Sequence, residues 1–138
     1  MNNDKVKPAI SFESYRINSL EYREANEEEK QTPVIEGGFG SGIIDEKQKG
    51  IVNQKVTTYN PKTKMLLKLE ISAIFDIVDE TLSKDEINKF LALNGSAMIY
   101  PYVRAITSLV SSLDSSENTV LPSLNFSDAY ENSLHDDK

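Results

Sequence analysis

The chain of 138 residues contains no cysteine and a single histidine. Without cysteine, a disulfide, a thiolate metal site and a cysteine nucleophile are all excluded. The histidine, His135, lies near the end of the sequence among acidic residues, where no rigid element would orient it as a base or a metal ligand. We therefore expect no metal and no cofactor.

Basic charge is also scarce, since 15 lysines and arginines stand against 22 acidic residues, for a net charge of −7. Nucleic-acid phosphates need a basic footprint, and anionic membrane surfaces need the same. No stretch approaches the roughly 18 apolar residues of a membrane span, and the first residues lack the apolar centre of a signal peptide. We expect a cytoplasmic protein with no nucleic-acid partner and no membrane insertion.

Four segments of the first half carry the alternation of strands. They are predicted at residues 10–22, 34–45, 51–59 and 65–78. In the fourth strand every second residue from Met65 to Ile77 is apolar, which is typical of an antiparallel sheet with one dry face. In the first strand Ile10 and Phe12 have the opposite parity to Tyr15, which predicts a β-bulge.

Helical patterns follow the strands. Ser83 and Glu86 form a capping box that begins a short helix, which we expect to end at Asn94 and Gly95. A longer helix is predicted at 96–113, and Asn125 is placed to cap a third. An apolar stripe of the longer helix comprises Met98, Tyr102, Ala105, Ile106, Leu109 and Leu113, and Ile99, Val103 and Val110 widen it.

These elements predict one α+β domain at residues 9–134. A four-stranded antiparallel meander sheet is followed by two to three helices packed on one side. Residues 1–8 and 135–138 are predicted to be flexible ends. The apolar belt of the long helix is wider than one core contact requires, which favours an oligomer.

The sequence offers little support for an enzyme. The glycines of GGFGSG at 37–42 are followed by strand residues rather than by a helix, so a phosphate-binding loop is not expected. Acidic pairs such as Asp45 with Glu46 and Asp79 with Glu80 fall in loops, whereas catalytic carboxylates are held across a partly dry cleft. We therefore predict that the protein is not an enzyme.

Three segments resemble the bacterial export chaperone SecB and its relatives. IYPYVR at 99–104 is similar to the family's Leu-Phe-Pro-Tyr-Ala-Arg motif, and LPSLNFSDAY at 121–130 is similar to its Leu-x-Pro-Val-Asn-Phe-Asp-x-Leu-Tyr stretch. ISFESYRINSLEY at 10–22 resembles the family's first strand. The resemblance implies a homotetramer, built as a dimer of dimers, that holds unfolded or pre-secretory polypeptides in apolar grooves without using nucleotide.

The resemblance also implies two sets of functional residues. Client polypeptides would contact apolar and aromatic residues, for which the candidates are Phe12, Tyr15, Phe75, Phe90, Leu91, Met98 and Tyr102. Docking to the export motor SecA would use acidic residues, for which the candidates are Glu21, Glu24, Glu27, Glu28 and Glu29. Two alternatives remain open: a SecB-like chaperone dedicated to one partner, such as an antitoxin, and an oligomeric structural or assembly protein that is not a chaperone.

Overall fold

The computed structural model describes residues 8–44, 48–114 and 120–136. Four strands come first and the helices follow, which confirms the α+β order. The elements are β1 (Ile10–Glu24), β2 (Ile35–Ile44), β3 (Lys49–Asn60), β4 (Met65–Ile77), α1 (Lys84–Phe90), α2 (Ser96–Asp114) and α3 (Phe126–Asp136). A 3₁₀ turn lies at Glu29–Gln31 and a π-helical segment at Leu91–Gly95. The predicted flexible ends fall largely on residues 1–7 and 137–138, outside the described residues, and α3 continues to Asp136.

The four strands form one antiparallel sheet in the order β1-β4-β3-β2. Strands β2, β3 and β4 make the predicted meander, but β1 pairs with β4 instead of β2, so the meander prediction is wrong for the first strand. The reason lies in β4, whose alternate side chains are almost fully buried and which takes hydrogen-bonding partners along both edges. The connection at 25–34 therefore crosses from one edge of the sheet to the other, as in a Greek key.

Strand β1 keeps its apolar side chains on one face by means of bulges. Its register against β4 shifts once between Phe12 and Ser14, as the change of parity predicts, and again between Ile17 and Ser19. Each shift moves the alternation by one residue and so returns the apolar positions to the helix side. The residues paired with the buried face of β4 are Ile10, Phe12, Tyr15, Ile17, Leu20 and Tyr22.

The core lies between this face of the sheet and the helices. Five alternate residues of β4 are at most 1% exposed, namely Leu67, Leu69, Ile71, Ala73 and Phe75. Leu91, Ile99 and Val103 cover them from the helical side and belong to the same cluster. Full burial of an aliphatic side chain of this size contributes about 1.5–3 kcal/mol, so this layer is the main source of stability.

The helices differ from the sequence prediction at Gly95. The Ser83 capping box is present, since Ser83 Oγ accepts from Glu86 N at 3.1 Å and Glu86 Oε1 accepts from Ser83 N at 3.1 Å. The chain does not stop at Asn94 and Gly95, but runs through the π-helical segment into α2. Gly95 serves close packing instead of a turn, because a Cβ there would lie 2.9 Å from Cγ2 of Val52 and 3.4 Å from Cε1 of Phe75.

Candidate functional site

Helix α2 has one buried and one exposed apolar face. Ile99, Val103 and Thr107 are buried against the sheet. The stripe predicted from the sequence lies mostly on the other face, and its exposed members are Met98, Tyr102, Ala105, Leu109 and Leu113. Leu109 is 60% exposed and Leu113 is 77% exposed. Because Arg104 is the only charged residue between 96 and 113, the exposed stripe of α2 is uncharged from Met98 to Leu113.

The exposed face of α2 meets the outer part of β1 through aromatic rings. The centroid of Tyr102 lies 4.6 Å from that of Tyr15 and 6.2 Å from that of Phe12, both in stacked arrangements. Phe12 in turn packs edge-on against the buried Phe75, with centroids 5.7 Å apart. We call this surface the β1–α2 face and define it by Phe12, Tyr15, Ile17, Leu20, Met98, Tyr102, Leu109 and Leu113.

A recess continues this surface towards α1. It has a volume of about 450 Å³, and Ile10, Leu82, Phe90 and Met98 supply its apolar lining. Met98 belongs to both the recess and the β1–α2 face, so the two apolar regions adjoin at this residue; Asp79 and Asn94 add polar groups to the recess.

The structure brings five of the seven predicted client-contact residues to this continuous surface: Phe12, Tyr15, Phe90, Met98 and Tyr102. The other two, Phe75 and Leu91, are 0% exposed. Phe75 lies on the inner face of β4, and Leu91 lies against Gly50 of β3, where a Cβ on the glycine would come within 2.6 Å of Leu91 Cδ1. Both are core residues, and we do not retain them as contact residues.

A second apolar site was missed by the sequence analysis. It is a pocket of about 410 Å³ between β2, β3, α2 and α3, and we call it the β2–α3 pocket. Its lining includes Ile35, Phe39, Val56, Tyr100, Leu124 and Phe126. Phe126 packs edge-on against Phe39 and Tyr100, at centroid distances of 5.8 Å and 5.4 Å. The buried Gln54 adds one polar group to the lining, and its Nε2 donates to Ser96 O at 2.7 Å.

The helix α3 forms one wall of the pocket, and it is held in place by its N-terminal cap and by hydrogen bonds between the segment before it and α2. Asn125 caps the helix, as predicted, by accepting from the backbone N–H of Ser127 at 3.0 Å. On the preceding segment, Leu121 is buried and its carbonyl accepts from Arg104 Nε at 3.1 Å. The Tyr100 hydroxyl donates to Pro122 O at 2.7 Å, and burial raises the pKa of Tyr100. These bonds fix the far wall of the pocket to α2.

The glycine-rich stretch belongs to this second site and not to a phosphate loop. Residues 37–42 lie within β2 and pair with β3 without a register shift. A Cβ at Gly38 or Gly40 would meet nothing within 4 Å, so packing within this chain does not require glycine at either position. The stretch forms an edge strand with little side-chain bulk beside the pocket.

A family model described as SecB, preprotein translocase subunit SecB, matches residues 18–137. This chain belongs to the SecB family. The SecB-like chaperone Rv1957 of Mycobacterium tuberculosis, solved in complex with a ChAD peptide from the HigA1 antitoxin Rv1956, superposes with a TM-score of 0.64. The superposition covers 85% of this chain and 88% of that one at 14% identity, so it shows a shared fold.

A second solved structure shares the fold, and one curated protein matches part of the sequence; neither adds a function. A protein of unknown function from Streptococcus agalactiae superposes with a TM-score of 0.57 at 19% identity, over 83% of this chain and 97% of that one. A stretch of 64 residues is 28% identical to the uncharacterized protein MJ0357 of Methanocaldococcus jannaschii. That stretch is 46% of this chain and 40% of MJ0357, so this SecB-family chain matches less than half of that relative's length.

The acidic residues that the SecB resemblance singles out are largely engaged within the chain. Glu29 forms a two-pronged ion pair with Arg23, at 2.7 Å for each bond, and its Oε2 lies 3.5 Å from Lys68 Nζ. Glu27 pairs with Lys30 at 2.7 Å, and Glu21 lies 3.5 Å from Arg23. Glu24 and Glu28 are exposed. The hydrogen bonds from Arg23 and from the Asn26 backbone hold the pKa of Glu29 down to about 2. Three of the five predicted docking acids are thus partly neutralised.

Within residues 8–44, 48–114 and 120–136, no helix is long and apolar enough to cross a membrane. Over the same ranges, leaving out the side chains of residues 114 and 133–136, no three acidic or histidine side chains come together as metal ligands would.

Proposed function

We propose that this SecB-family chain is an ATP-independent chaperone, a holdase, that binds non-native polypeptides in the cytoplasm. The observation that carries the proposal is the largely apolar surface that remains open on the helix side of the sheet, from Phe90 through Met98 and Tyr102 to β1, with Asp79 as the charged residue in the lining of the recess. Soluble monomers rarely leave a continuous apolar surface open unless something binds there.

The two apolar sites suit unfolded chains for different reasons. The β1–α2 face is open and lined by aromatic and methionine side chains, which can pack against polypeptides of many different sequences. The β2–α3 pocket is concave and large enough to enclose a bulky side chain. Binding only the unfolded state lowers the concentration of free aggregation-prone chain by mass action, so no nucleotide and no chemical step are needed.

The test is suppression of aggregation of a chemically denatured substrate, followed by light scattering. Ile17 and Ile44 provide a matched pair: both are edge-strand isoleucines, 43% and 39% exposed, but Ile17 lies on the β1–α2 face and Ile44 on the face without helices. We expect wild type and Ile44→Ser to suppress scattering at stoichiometric amounts and Ile17→Ser to require several-fold more protein. No suppression by wild type, or equal losses in both variants, would contradict the proposal.

We further propose that the chain forms the homotetramer of its family, with the distal part of the α2 stripe at a subunit interface. Leu109 and Leu113 support this, because two leucines on one uncharged helix face would otherwise stand in water. Light scattering coupled to size exclusion should give four times 15.5 kDa. Leu113→Ser should lower the mass and Ser112→Ala should not, while a 15.5 kDa wild-type monomer would refute the assembly.

A second candidate function is that of a chaperone dedicated to one partner. It is favoured by the structural relative Rv1957, whose complex contains an antitoxin peptide. Calorimetric titrations with an unfolded pre-secretory polypeptide and with the antitoxin peptide of the Rv1957 complex, or with peptides from any antitoxin encoded beside this chain's gene, separate the two. Comparable affinity for unrelated unfolded chains supports the general holdase, whereas tight binding of the antitoxin peptide alone supports the dedicated role. Docking of SecA would rely on Glu24 and Glu28, which are exposed and take no part in the ion pairs of Glu21, Glu27 and Glu29 described above.

A further inference from the structure

A small apolar cluster lies on the face of the sheet that has no helices. Tyr59 and Leu66 are direct partners across β3 and β4, and both belong to the alternate positions that point away from the core. They are nevertheless 8% and 0% exposed, and they cluster with Ala25. The β1–β2 connection, residues 25–34, passes from one edge of the sheet to the other and contributes Ala25 to this cluster, so we assign the cover to it and call it the strap.

Backbone hydrogen bonds attach the strap at its two ends. The N–H of Ala25 donates to Lys64 O at 2.9 Å, in the turn between β3 and β4. The carbonyl of Val34 accepts from the N–H of Tyr59 at 3.0 Å, immediately before β2 begins. Each bond reports on one end of the strap, and Tyr59 is itself one of the residues beneath it.

Between its ends the strap is held by charge. Glu29 makes the two bonds to Arg23 and lies near Lys68 of β4, so it links the strap to the sheet. Glu29 and Asn26 also bond each other reciprocally: Asn26 N donates to Glu29 Oε1 at 3.0 Å and Glu29 N donates to Asn26 Oδ1 at 2.8 Å. This second pair makes the 3₁₀ turn a folded unit of its own, oriented by the same carboxylate that binds Arg23.

We propose that the strap opens and closes as a unit over Tyr59 and Leu66, and that Glu29 is the residue that keeps it closed. Ala25 is the only buried residue of the strap, so little apolar area resists its opening. Ion pairs at the surface are weakened by salt, and segments held in this way open locally well below the free energy of global unfolding. Opening uncovers two large apolar side chains on the face opposite both apolar sites described above.

The strap also borders the β2–α3 pocket. Val34 ends the strap, and the next residue, Ile35, is the first of the pocket lining on β2. Release of the Val34 carbonyl from Tyr59 removes the fixed point that precedes this strand. Opening of the strap would therefore loosen the start of β2, where Ile35 pairs with Thr58 at one rim of the pocket. This link rests on the position of Val34 next to Ile35, and it does not depend on whether the protein is a holdase.

The experiment is amide hydrogen exchange by NMR on the full chain, read at Ala25 and Tyr59, with amides of the central strand β4 reporting global opening. We compare wild type, Glu29→Gln and Glu28→Gln, since Glu28 is a neighbouring exposed glutamate. In Glu29→Gln both reporter amides should exchange at least 10-fold faster, while β4 amides and the Glu28→Gln variant stay within about two-fold of wild type.

Salt provides a test that needs no substitution. In wild type, raising ionic strength to about 1 M should speed exchange at Ala25 and Tyr59 together by several-fold, and it should have no such effect in Glu29→Gln. The proposal is overturned if the two reporter amides respond differently from each other, if they exchange at the rate of β4 amides, or if Glu28→Gln accelerates them as much as Glu29→Gln does.

Discussion

The two faces of the sheet are made by the same strands but are stabilised differently. On the helix side, alternate residues of β4 such as Leu69, Ile71 and Phe75 are almost completely buried in one apolar cluster. On the other side, the intervening residues Lys68, Glu70 and Asp76 stand in charged pairs near solvent. Packing of apolar side chains therefore stabilises one face, whereas ion pairs between neighbouring strands and with the strap stabilise the other.

The charged face is organised across strands. Lys49 of β3 bonds Asp76 of β4 at 2.5 Å and Glu13 of β1 at 2.8 Å, and these hydrogen bonds raise the pKa of Lys49. A polar chain runs beside it from Asn18 to Ser72 and from Ser72 to Asn53, each bond 2.5 Å long. Glu13 and Asn18 are the extra residues at the two bulges of β1. The bulges therefore place polar groups on this face while they keep the apolar residues on the other.

The largest effect should come from the packed face. Leu91→Ala removes a side chain that is 0% exposed and lies against Gly50. We expect a loss of about 2–5 kcal/mol in the free energy of unfolding, because a cavity adds to the lost transfer energy. Urea denaturation measures it, with Leu124→Ala as the control, since Leu124 is 48% exposed. A loss no larger than that of the control would mean that Leu91 is not a core residue.

An intermediate effect should come from Gly95, where helix and sheet approach closely. Alanine there gains about 1 kcal/mol of helix propensity, but its Cβ would lie 2.9 Å from the stiff, buried Val52. Overpacking of this kind costs about 1–3 kcal/mol, so Gly95→Ala should be neutral to destabilising by about 2 kcal/mol.

A double-mutant cycle identifies the cause. In a Val52→Ala background the contact is removed, so Gly95→Ala should become stabilising by up to about 1 kcal/mol. Additive effects of the two substitutions would show that contact with Val52 does not explain the glycine.

The packed face can largely be predicted from the sequence, because the patterns that specify it involve residues close together in the chain. The alternation of β4, the Ser83 capping box and the Asn125 cap each depend on residues within a few positions of one another, and all three are present. The role of Gly95 cannot be predicted from local sequence for the opposite reason. Its role depends on contact with Val52, which is distant in sequence. A glycine that ends a helix and a glycine that permits close packing cannot be told apart from the sequence around them.

The candidate site likewise combines features that local sequence patterns predict with features that depend on residues far apart in the chain. Aromatic residues on β1 and α2 indicate a surface, and three of them, Phe12, Tyr15 and Tyr102, meet there, but the sequence pattern does not show which side of α2 faces the sheet. The β2–α3 pocket cannot be predicted without knowing that Phe39 and Phe126, from opposite halves of the chain, are neighbours. The acids of the strap looked like a docking surface because the sequence shows their charge but not the position of Arg23.

The smallest effect should come from the charged face and should depend on pH. Because the pKa of Glu29 is lowered to about 2 in the folded chain and is about 4.3 in an unfolded one, the Glu29 carboxyl group binds fewer protons in the folded state than in the unfolded state at pH values between these two. Its contribution to stability is therefore complete above about pH 5 and declines as the pH falls through 4.3 towards 2. The difference in melting temperature between wild type and Glu29→Gln should shrink over that window, and Glu28→Gln should show no comparable trend. A difference that stays constant from pH 7 to pH 2, or a carboxyl NMR titration of Glu29 centred near 4.3, would show that Arg23 does not hold this carboxylate in solution.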